Sequence, residues 1–436
     1  MSELPLHKKP KRLASLDAFR GITIAMMILV NNPGTWSKIY PPLRHAEWHG
    51  WTFTDLIFPF FLYIVGVAIV LAFTKRLKQG VPKKELYLKI LRRTVLLFGI
   101  GLFLNGFSGL PDFAWIIYTV LFLLTFIFYL VLNNLVTGQK DKTLFYLKRF
   151  FQLVVIIFII HSLFYFNFAS LRIPGVLQRI AVCYAIASII VLNTDIKWQA
   201  YIAFGILIVY WIIMKTIPVP GYGAGILQPK GNLCWYIDSQ LLAGHTWSHA
   251  PAKGFDPEGI LSTLPAVSTV LMGILTGHWL KTDKGDYEKV SGMFVAGIFG
   301  LLSGIIVNIW FPINKNLWSS SYVLFMAGMA LLFLATLYWL VDIYDYKAYT
   351  KPFIMFGSNA IIMFSLSSFF AKALGLLWKI NLPDGTTMTL KNYLYQNLFA
   401  SWLSPINASL AYAISYLLIW FLVAYILYRK RIYIKV

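Results

Sequence analysis

The sequence predicts an all-α polytopic membrane protein, a single helical bundle of about 12 transmembrane helices with both termini cytoplasmic. Composition is the first reason: 58% of the 436 residues are hydrophobic and only 13% are charged, against about a quarter charged in a soluble domain. The second is run length. Apolar stretches of roughly 18 to 24 residues recur, the length an α-helix needs to cross about 30 Å of hydrocarbon. Backbone groups in lipid must be satisfied internally, so such stretches are read as helices. The third is punctuation: Trp and Tyr gather at the ends of the stretches, while Lys and Arg gather in alternate loops.

The expected spans fall near 16–33, 52–74, 88–107, 115–136, 147–169, 173–194, 197–217, 259–280, 291–312, 318–342, 352–374 and 407–428. Lys8, Lys9, Lys11 and Arg12 precede the first, in a cytoplasmic basic segment covering 1–15. Lys75, Arg76, Lys78, Lys83, Lys84, Lys89, Arg92 and Arg93 follow the second. Lys140, Lys142, Lys148 and Arg149 separate the fourth from the fifth, and Arg429, Lys430 and Arg431 open a short tail at 429–436. An even number of spans puts all four clusters on the cytoplasmic face. Residues 34–51, 218–258 and 375–406 are then exterior loops, rich in Trp, Gly, Pro, Asn and His. Loops this long in a bundle are often functional. With no internal repeat and no linker, 16–428 reads as one membrane domain.

The net charge of +21 is spent on orientation in these loops, so no nucleic-acid partner is expected. Cys183 and Cys234 are the two cysteines, too few for a disulfide framework or a metal site. The polar, basic start MSELPLHKKPKR leads into the first span without a small-residue cleavage site, and reads as an uncleaved start.

Polar residues that interrupt the apolar pattern carry the chemistry. Asp17 and Arg20 share a helix face and can pair at the membrane edge. Asn31 ends the first span, where it either caps the helix or points a polar group outward. The following loop holds His45 and His49, and Asp55 lies in the first turn of the second span. Histidine suits proton transfer at neutral pH, and a carboxylate at a membrane helix end is costly unless paired or functional. Composition does not separate the two histidines. Arg172 and Gln178-Arg179 open the sixth span, and Arg179 lies two turns into apolar sequence, either in a structural ion pair or facing a ligand. Asp256 and Glu258 precede the eighth span and favour a helix N-terminus. Asn359, at membrane depth, suits a hydrogen bond between helices. No phosphate-binding loop, metal-ligand spacing or nucleophile elbow is present, and the residues alone leave transporter and enzyme both open.

Six stretches in order carry a family resemblance: Ser15-Leu-Asp17-Ala-Phe-Arg20-Gly21, Val30-Asn31, His45-Ala-Glu-Trp48 continuing to Asp55 through Pro59, Arg172-Ile-Pro-Gly-Val-Leu-Gln-Arg179, Asp256-Pro-Glu-Gly-Ile-Leu261 and Asn314-Lys-Asn-Leu-Trp-Ser319. The chain resembles the heparan-α-glucosaminide N-acetyltransferase family. The resemblance implies acetyl transfer from cytosolic acetyl-CoA to the amine of a glucosamine-type acceptor across the membrane, with no metal. It places the catalytic histidine at His45 and the Asn of the preceding span at Asn31, with Asp55 orienting the histidine or holding the amine. Arg179, Gln178, Arg172 and Asn359 are the expected acetyl-CoA contacts. Direct transfer in a ternary complex is expected, since holding both substrates together already lowers the barrier.

Against the family pattern, the chain lacks a large N-terminal segment, inserts two spans at about 115–169, and lengthens the loop between Asn31 and His45. The expected location is a bacterial cytoplasmic (inner) membrane, with membrane lipid, acetyl-CoA, an amino-sugar acceptor and a homodimeric copy as partners. The alternative is a secondary transporter or flippase for an amino sugar or glycolipid. That would show paired broken helices in two halves, which the sequence does not display.

Overall fold

The computed structural model describes residues 13–106, 160–161, 163–164 and 166–434. They are mostly helical. In chain order the helices are α1 (Ala14–Val30), α2 (Ile57–Lys78), α3 (Lys83–Gly106), α4 (Val176–Asn193), α5 (Ile196–Thr216), α6 (Leu233–Leu241), α7 (Thr263–Leu280), α8 (Asp286–Val307), α9 (Ser320–Leu337), α10 (Lys347–Ser358), α11 (Ala360–Lys372), α12 (Leu390–Tyr395) and α13 (Pro405–Arg429). The expected span 115–136 and residues 147–159 of the expected span 147–169 lie outside the described residues.

Among the described residues, 8 helical stretches are long and apolar enough to cross a membrane, beginning at Phe53, Val176, Ile196, Thr263, Asp286, Ser320, Ala360 and Pro405. Two helices expected to span are not among them. Helix α1 is 17 residues long and carries Asp17 and Arg20. The first half of α3 holds Lys83, Lys84, Glu85, Lys89, Arg92 and Arg93.

Helix α2 is the axis of the bundle. Its apolar residues leave no polar stripe, and nearly every side chain from Ile57 to Val70 is buried, as expected of a helix surrounded by others. It packs on α7, while α1 packs on α10, α3 on α4 and α8 on α9. Two of these crossings are set by glycine. A Cβ on Gly66 would lie 2.0 Å from the Val270 carbonyl oxygen, and one on Gly273 would lie 2.0 Å from that of Tyr63. At the second crossing a Cβ on Gly21 would fall 1.7 Å from the Phe353 oxygen. Small residues let backbones touch in this way, the packing mode favoured where lipid offers no hydrophobic drive.

The structure departs from the all-α expectation in the segment 375–406. There β1 (Lys379–Asn381) pairs antiparallel with β2 (Thr387–Thr389), Ile380 opposite Met388. The turn is Pro383-Asp384-Gly385, with Gly385 at φ 79°, the left-handed position such turns give to glycine. The expected span 352–374 is also not one helix: α10 and α11 meet at Asn359, whose φ −129° and ψ 34° leave the helical region. The side chain gives the reason. Asn359 Nδ2 donates to the Ile432 carbonyl at 2.9 Å and its Oδ1 accepts from Ile434 N at 2.8 Å. The break is held by the strand of chain that follows α13.

Candidate active site

The loop between α1 and α2 folds back on itself to deliver His45 to Asp55. It leaves α1 at Asn31-Asn32-Pro33-Gly34, and Gly34 N and Thr35 N tie it to Ser409 on α13, through Ser409 O and Oγ, each at 3.1 Å. A short 3₁₀ turn at Pro41–Leu43 follows. A second at Phe53–Leu56 runs into α2. Asp55 is the third residue of that turn, so its carboxylate can reach back to the turn's own start. Its Oδ2 accepts from Thr52 N at 3.0 Å, Thr52 Oγ1 at 3.1 Å and Ala46 N at 3.0 Å. Those bonds leave Oδ1 facing two groups, His45 Nδ1 at 2.6 Å and Lys315 Nζ at 3.3 Å. Asp55 is 1% exposed and the His45 side chain 48%, so the pair is anchored from below and open above.

A carboxylate only accepts, so His45 Nδ1 carries the proton toward Asp55 and Nε2 keeps a free lone pair. Lys315 Nζ lies 2.9 Å from Nδ1 and 3.4 Å from Nε2. Lys315 arrives from the loop between α8 and α9, which is knotted by its own side chains. Asn308 Oδ1 accepts from Ile313 N at 2.7 Å, Asn314 Oδ1 from Leu317 N at 2.8 Å, and Ser319 Oγ from Asn314 N at 3.0 Å. Gly50 N donates to the Ile313 carbonyl at 2.7 Å, which docks the His45 loop onto this one. Tyr322 OH donates to the Asp55 carbonyl at 2.6 Å.

His49 is held apart from the pair. Its Nδ1 accepts from Asn314 Nδ2 at 3.3 Å, and partial burial lowers its pKa. The structure therefore separates two histidines that composition left equal.

Arg172 and Arg179 occupy different settings. Arg172 binds Asp256 through Nε at 2.8 Å and Nη2 at 2.7 Å, and Glu258 through Nη2 at 2.6 Å. Burial opposes ionisation of Glu258, but Arg172, Arg179 and Lys315 together hold its pKa below the ordinary value. Beneath this clasp Asp238 on α6 receives Ile260 N at 3.0 Å and Asp256 N at 3.3 Å. Burial raises its carboxyl to about 7 against the pull of those two amides. Arg179 is 2% exposed. Its Nη2 reaches the Gly259 carbonyl and Ser262 Oγ, and its guanidinium lies 5.1 Å over the Trp318 ring. Its Nε and Nη1 find no partner among the described residues, nor does the buried Gln178 Nε2. Trp318 has φ 52°, a left-handed conformation that costs a large residue about 1–3 kcal/mol and clusters at functional sites.

Asn31 caps α1 through its backbone, N to Met27 O at 3.2 Å, and its side chain is exposed. Asn359 lies at the opposite end of the bundle, on the wall of a cavity of about 540 Å³. Arg20, Arg76, Lys89, Arg92 and Arg93 line that cavity, and α2 supplies the wall from Phe61 down to Arg76. At 1.5 Å per residue this wall is about 22 Å long, and Phe61 is about 9 Å along the helix from Asp55. Arg93 stacks over Tyr184 at 4.7 Å, with its buried Nε unpartnered among the described residues. The sequence-predicted site thus divides: His45 and Asp55 meet, Arg172, Gln178 and Arg179 lie in the same half of the bundle, and Asn359 belongs to the far cavity. Lys315, Tyr322 and the inner arginines were not singled out from the sequence. The one available signal for Lys315 was its place in the Asn314–Ser319 motif.

Residues 12–137 match the family model "Heparan-alpha-glucosaminide N-acetyltransferase, catalytic". Over 98% of its length the chain is 28% identical to the human protein named heparan-alpha-glucosaminide N-acetyltransferase and 26% identical to the mouse one. It spans about 60% of the length of these curated relatives. The resemblance read from the six motifs is borne out: along nearly all its own length the chain is similar to the heparan-alpha-glucosaminide N-acetyltransferases.

Proposed function

We propose that the chain is a transmembrane N-acetyltransferase that moves the acetyl group of cytosolic acetyl-CoA to the amine of a glucosamine-type sugar on the opposite side, with His45 as general base. One observation carries the reading: a hydrogen-bonded His–Asp pair and a basic cavity occupy the two ends of α2. Acetyl-CoA pairs an anionic nucleotide with a long amide-bearing arm. Arg76, Lys89, Arg92 and Arg93 suit the phosphates, since arginine binds them as a planar fork. The orphaned N–H groups of Gln178 and Arg179 suit amide or carbonyl oxygens farther along, because a buried donor without a partner is costly. Arg172 acts through its clasp, fixing Glu258 beside Arg179 and Lys315.

His45 Nε2 takes the proton of the attacking amine and returns it to the departing thiolate. Asp55 holds the tautomer that makes this direction of transfer available. Asn31 is the neutral donor proposed for the thioester oxygen. Both substrates sit together and transfer is direct. The orientation follows the clustering of Lys and Arg at the cavity end, which faces the cytoplasm under the positive-inside rule.

The test is acetyl transfer from labelled acetyl-CoA to glucosamine by detergent-purified, monodisperse protein. His45→Ala is expected to lower kcat by about 10²- to 10⁴-fold with CoA binding intact, and His49→Ala to keep most activity. Near-wild-type turnover in His45→Ala, or loss confined to His49→Ala, removes His45 as the base. Transport of glucosamine into vesicles without acetylation would favour a carrier instead.

A further inference from the structure

We infer that Lys315 is a catalytic residue that supplies the positive charge for the thioester oxygen as it becomes an oxyanion. The inference rests on the acetyltransferase reading and adds to it a group 270 residues from His45 in sequence.

The position of its ammonium is the first support. Nζ lies 3.4 Å from His45 Nε2 and 3.3 Å from Asp55 Oδ1. An amine that gives its proton to Nε2 stands about 3 Å from that nitrogen. The carbon it attacks is one bond farther, and the carbonyl oxygen one bond beyond that. A cation against the same imidazole edge is therefore within reach of the oxygen, where a donor at about 2.7–3.1 Å is most effective.

The hydrogen-bond inventory is the second support. An ammonium has three N–H groups. Asp55 Oδ1 takes one. With the Nδ1 proton directed to Asp55, that ring nitrogen has no lone pair to offer, and the described residues give Lys315 no acceptor other than His45 and Asp55. Its side chain is 19% exposed, and with His45 Nε2 at 3.4 Å as the one other acceptor among the described residues, at least one N–H is left for a ligand. The loop behind it is fixed by Asn308, Asn314 and Ser319, which supplies the preorganisation that makes such a charge effective at no reorganisation cost.

The step balances as follows. The neutral amine nitrogen bonds to the thioester carbon, and the carbonyl electron pair moves to oxygen beside Lys315. The amine proton goes to His45 Nε2. The carbonyl re-forms, the carbon–sulfur bond breaks, and the thiolate of CoA receives the proton from Nε2. Lys315 is unchanged throughout. Its charge also disfavours an acceptor that arrives as an ammonium, so the amine is selected in its neutral form.

The experiment compares wild type, Lys315→Met, Lys315→Gln and Lys315→Arg for acetyl transfer to glucosamine across pH. Monodispersity and calorimetric CoA affinity are measured on each. On the plateau above the acidic limb, Lys315→Met and Lys315→Gln are expected to lose about 10²- to 10³-fold in kcat. Their KM for acetyl-CoA should change little, and Lys315→Arg should recover part of the loss. If the neutral variants keep plateau kcat within threefold of wild type, Lys315 does not contact the reacting oxygen. If their loss vanishes at higher pH, Lys315 only sets the charge of His45 and the inference is overturned. Two neutral variants of different shape guard against one that misfolds. A wild-type chain that binds CoA but acetylates no amine removes the acetyltransferase reading and this inference together, whereas active wild type with active neutral variants removes the inference alone.

Discussion

The two ends of α2 treat charge in opposite ways. At the histidine end, Arg179 apart, charges are paired: Asp55 has Lys315 and His45, Arg172 has Asp256 and Glu258, and the loops bearing them are closed by backbone bonds. At the arginine end a cavity of about 540 Å³ is lined, among the described residues, by five basic side chains and no acidic one. Arg20 there does bond Asp17 at 3.1 Å, as the sequence led us to expect. Balanced charge in rigid loops suits chemistry, which needs atoms held in place. At the arginine end Lys89 also lies 3.6 Å from Glu85, yet basic side chains outnumber acidic ones, and an excess of positive charge around an open volume suits the binding of an anion.

The largest effect expected from this contrast is on stability. Arg172→Met leaves Asp256 and Glu258 as carboxylates without their cation, and breaking one side of a buried pair costs about 3–5 kcal/mol. Thermal unfolding in detergent should show a lower Tm, together with lost activity. If the Tm is unchanged, the clasp is not structural and Arg172 becomes available as a ligand contact.

The arginine end should behave in the reverse manner. Arg92→Glu with Arg93→Glu is expected to leave Tm nearly unaltered and to weaken CoA. A hydrogen bond to a charged group is worth about 1.5–3 kcal/mol, which corresponds to about tenfold or more in affinity. Titration with CoA and with pantetheine separates the cause, since pantetheine has no nucleotide phosphates and should bind both proteins alike. Equal loss for both ligands would place the phosphates elsewhere.

A smaller, pH-dependent effect is expected at Asp238. Its folded-state pKa of about 7 lies above the ordinary aspartate value of 3.8, so the folded chain binds the proton more tightly than the unfolded one. Stability therefore falls as pH rises from about 4 to 7. Asp238→Asn removes the charge but keeps only one of the two oxygens that accept from Ile260 N and Asp256 N, a loss common to every pH. Its Tm relative to wild type should therefore be higher at pH 8 than at pH 5. The opposite ordering would mean that Asp238 is ionised in place.

Hydropathy made the long helices legible because a membrane span is a one-dimensional signal, carried by consecutive residues. The hairpin at Lys379–Thr389 is short and mostly exposed, and its pairing rests on a Pro-Asp-Gly turn inside a loop that composition describes only as polar. The break at Asn359 was half visible in Gly357-Ser358-Asn359, but its cause lies in Ile432 and Ile434, far along the chain. The same distinction divides the site. His45 and Asp55 sit on one short loop, and their motif could be read. Asp256 and Glu258 suggested a helix start, and only the fold brings them to Arg172. Lys315 reaches His45 through tertiary packing, which a single sequence does not encode locally.

The crossing of α2 and α7 has a bearing on how a group can traverse this bundle. Carriers work by rocking one half of the bundle against the other, which needs an interface able to slip. At Gly66 and Gly273 main chain rests on main chain with no side chain between to act as a bearing, and the α1–α10 crossing at Gly21 repeats the arrangement. A small shift there drives hard atoms together. Such crossings make a fixed wall, which is what the proposed transfer requires if a flexible arm is to reach across while the helices stay still.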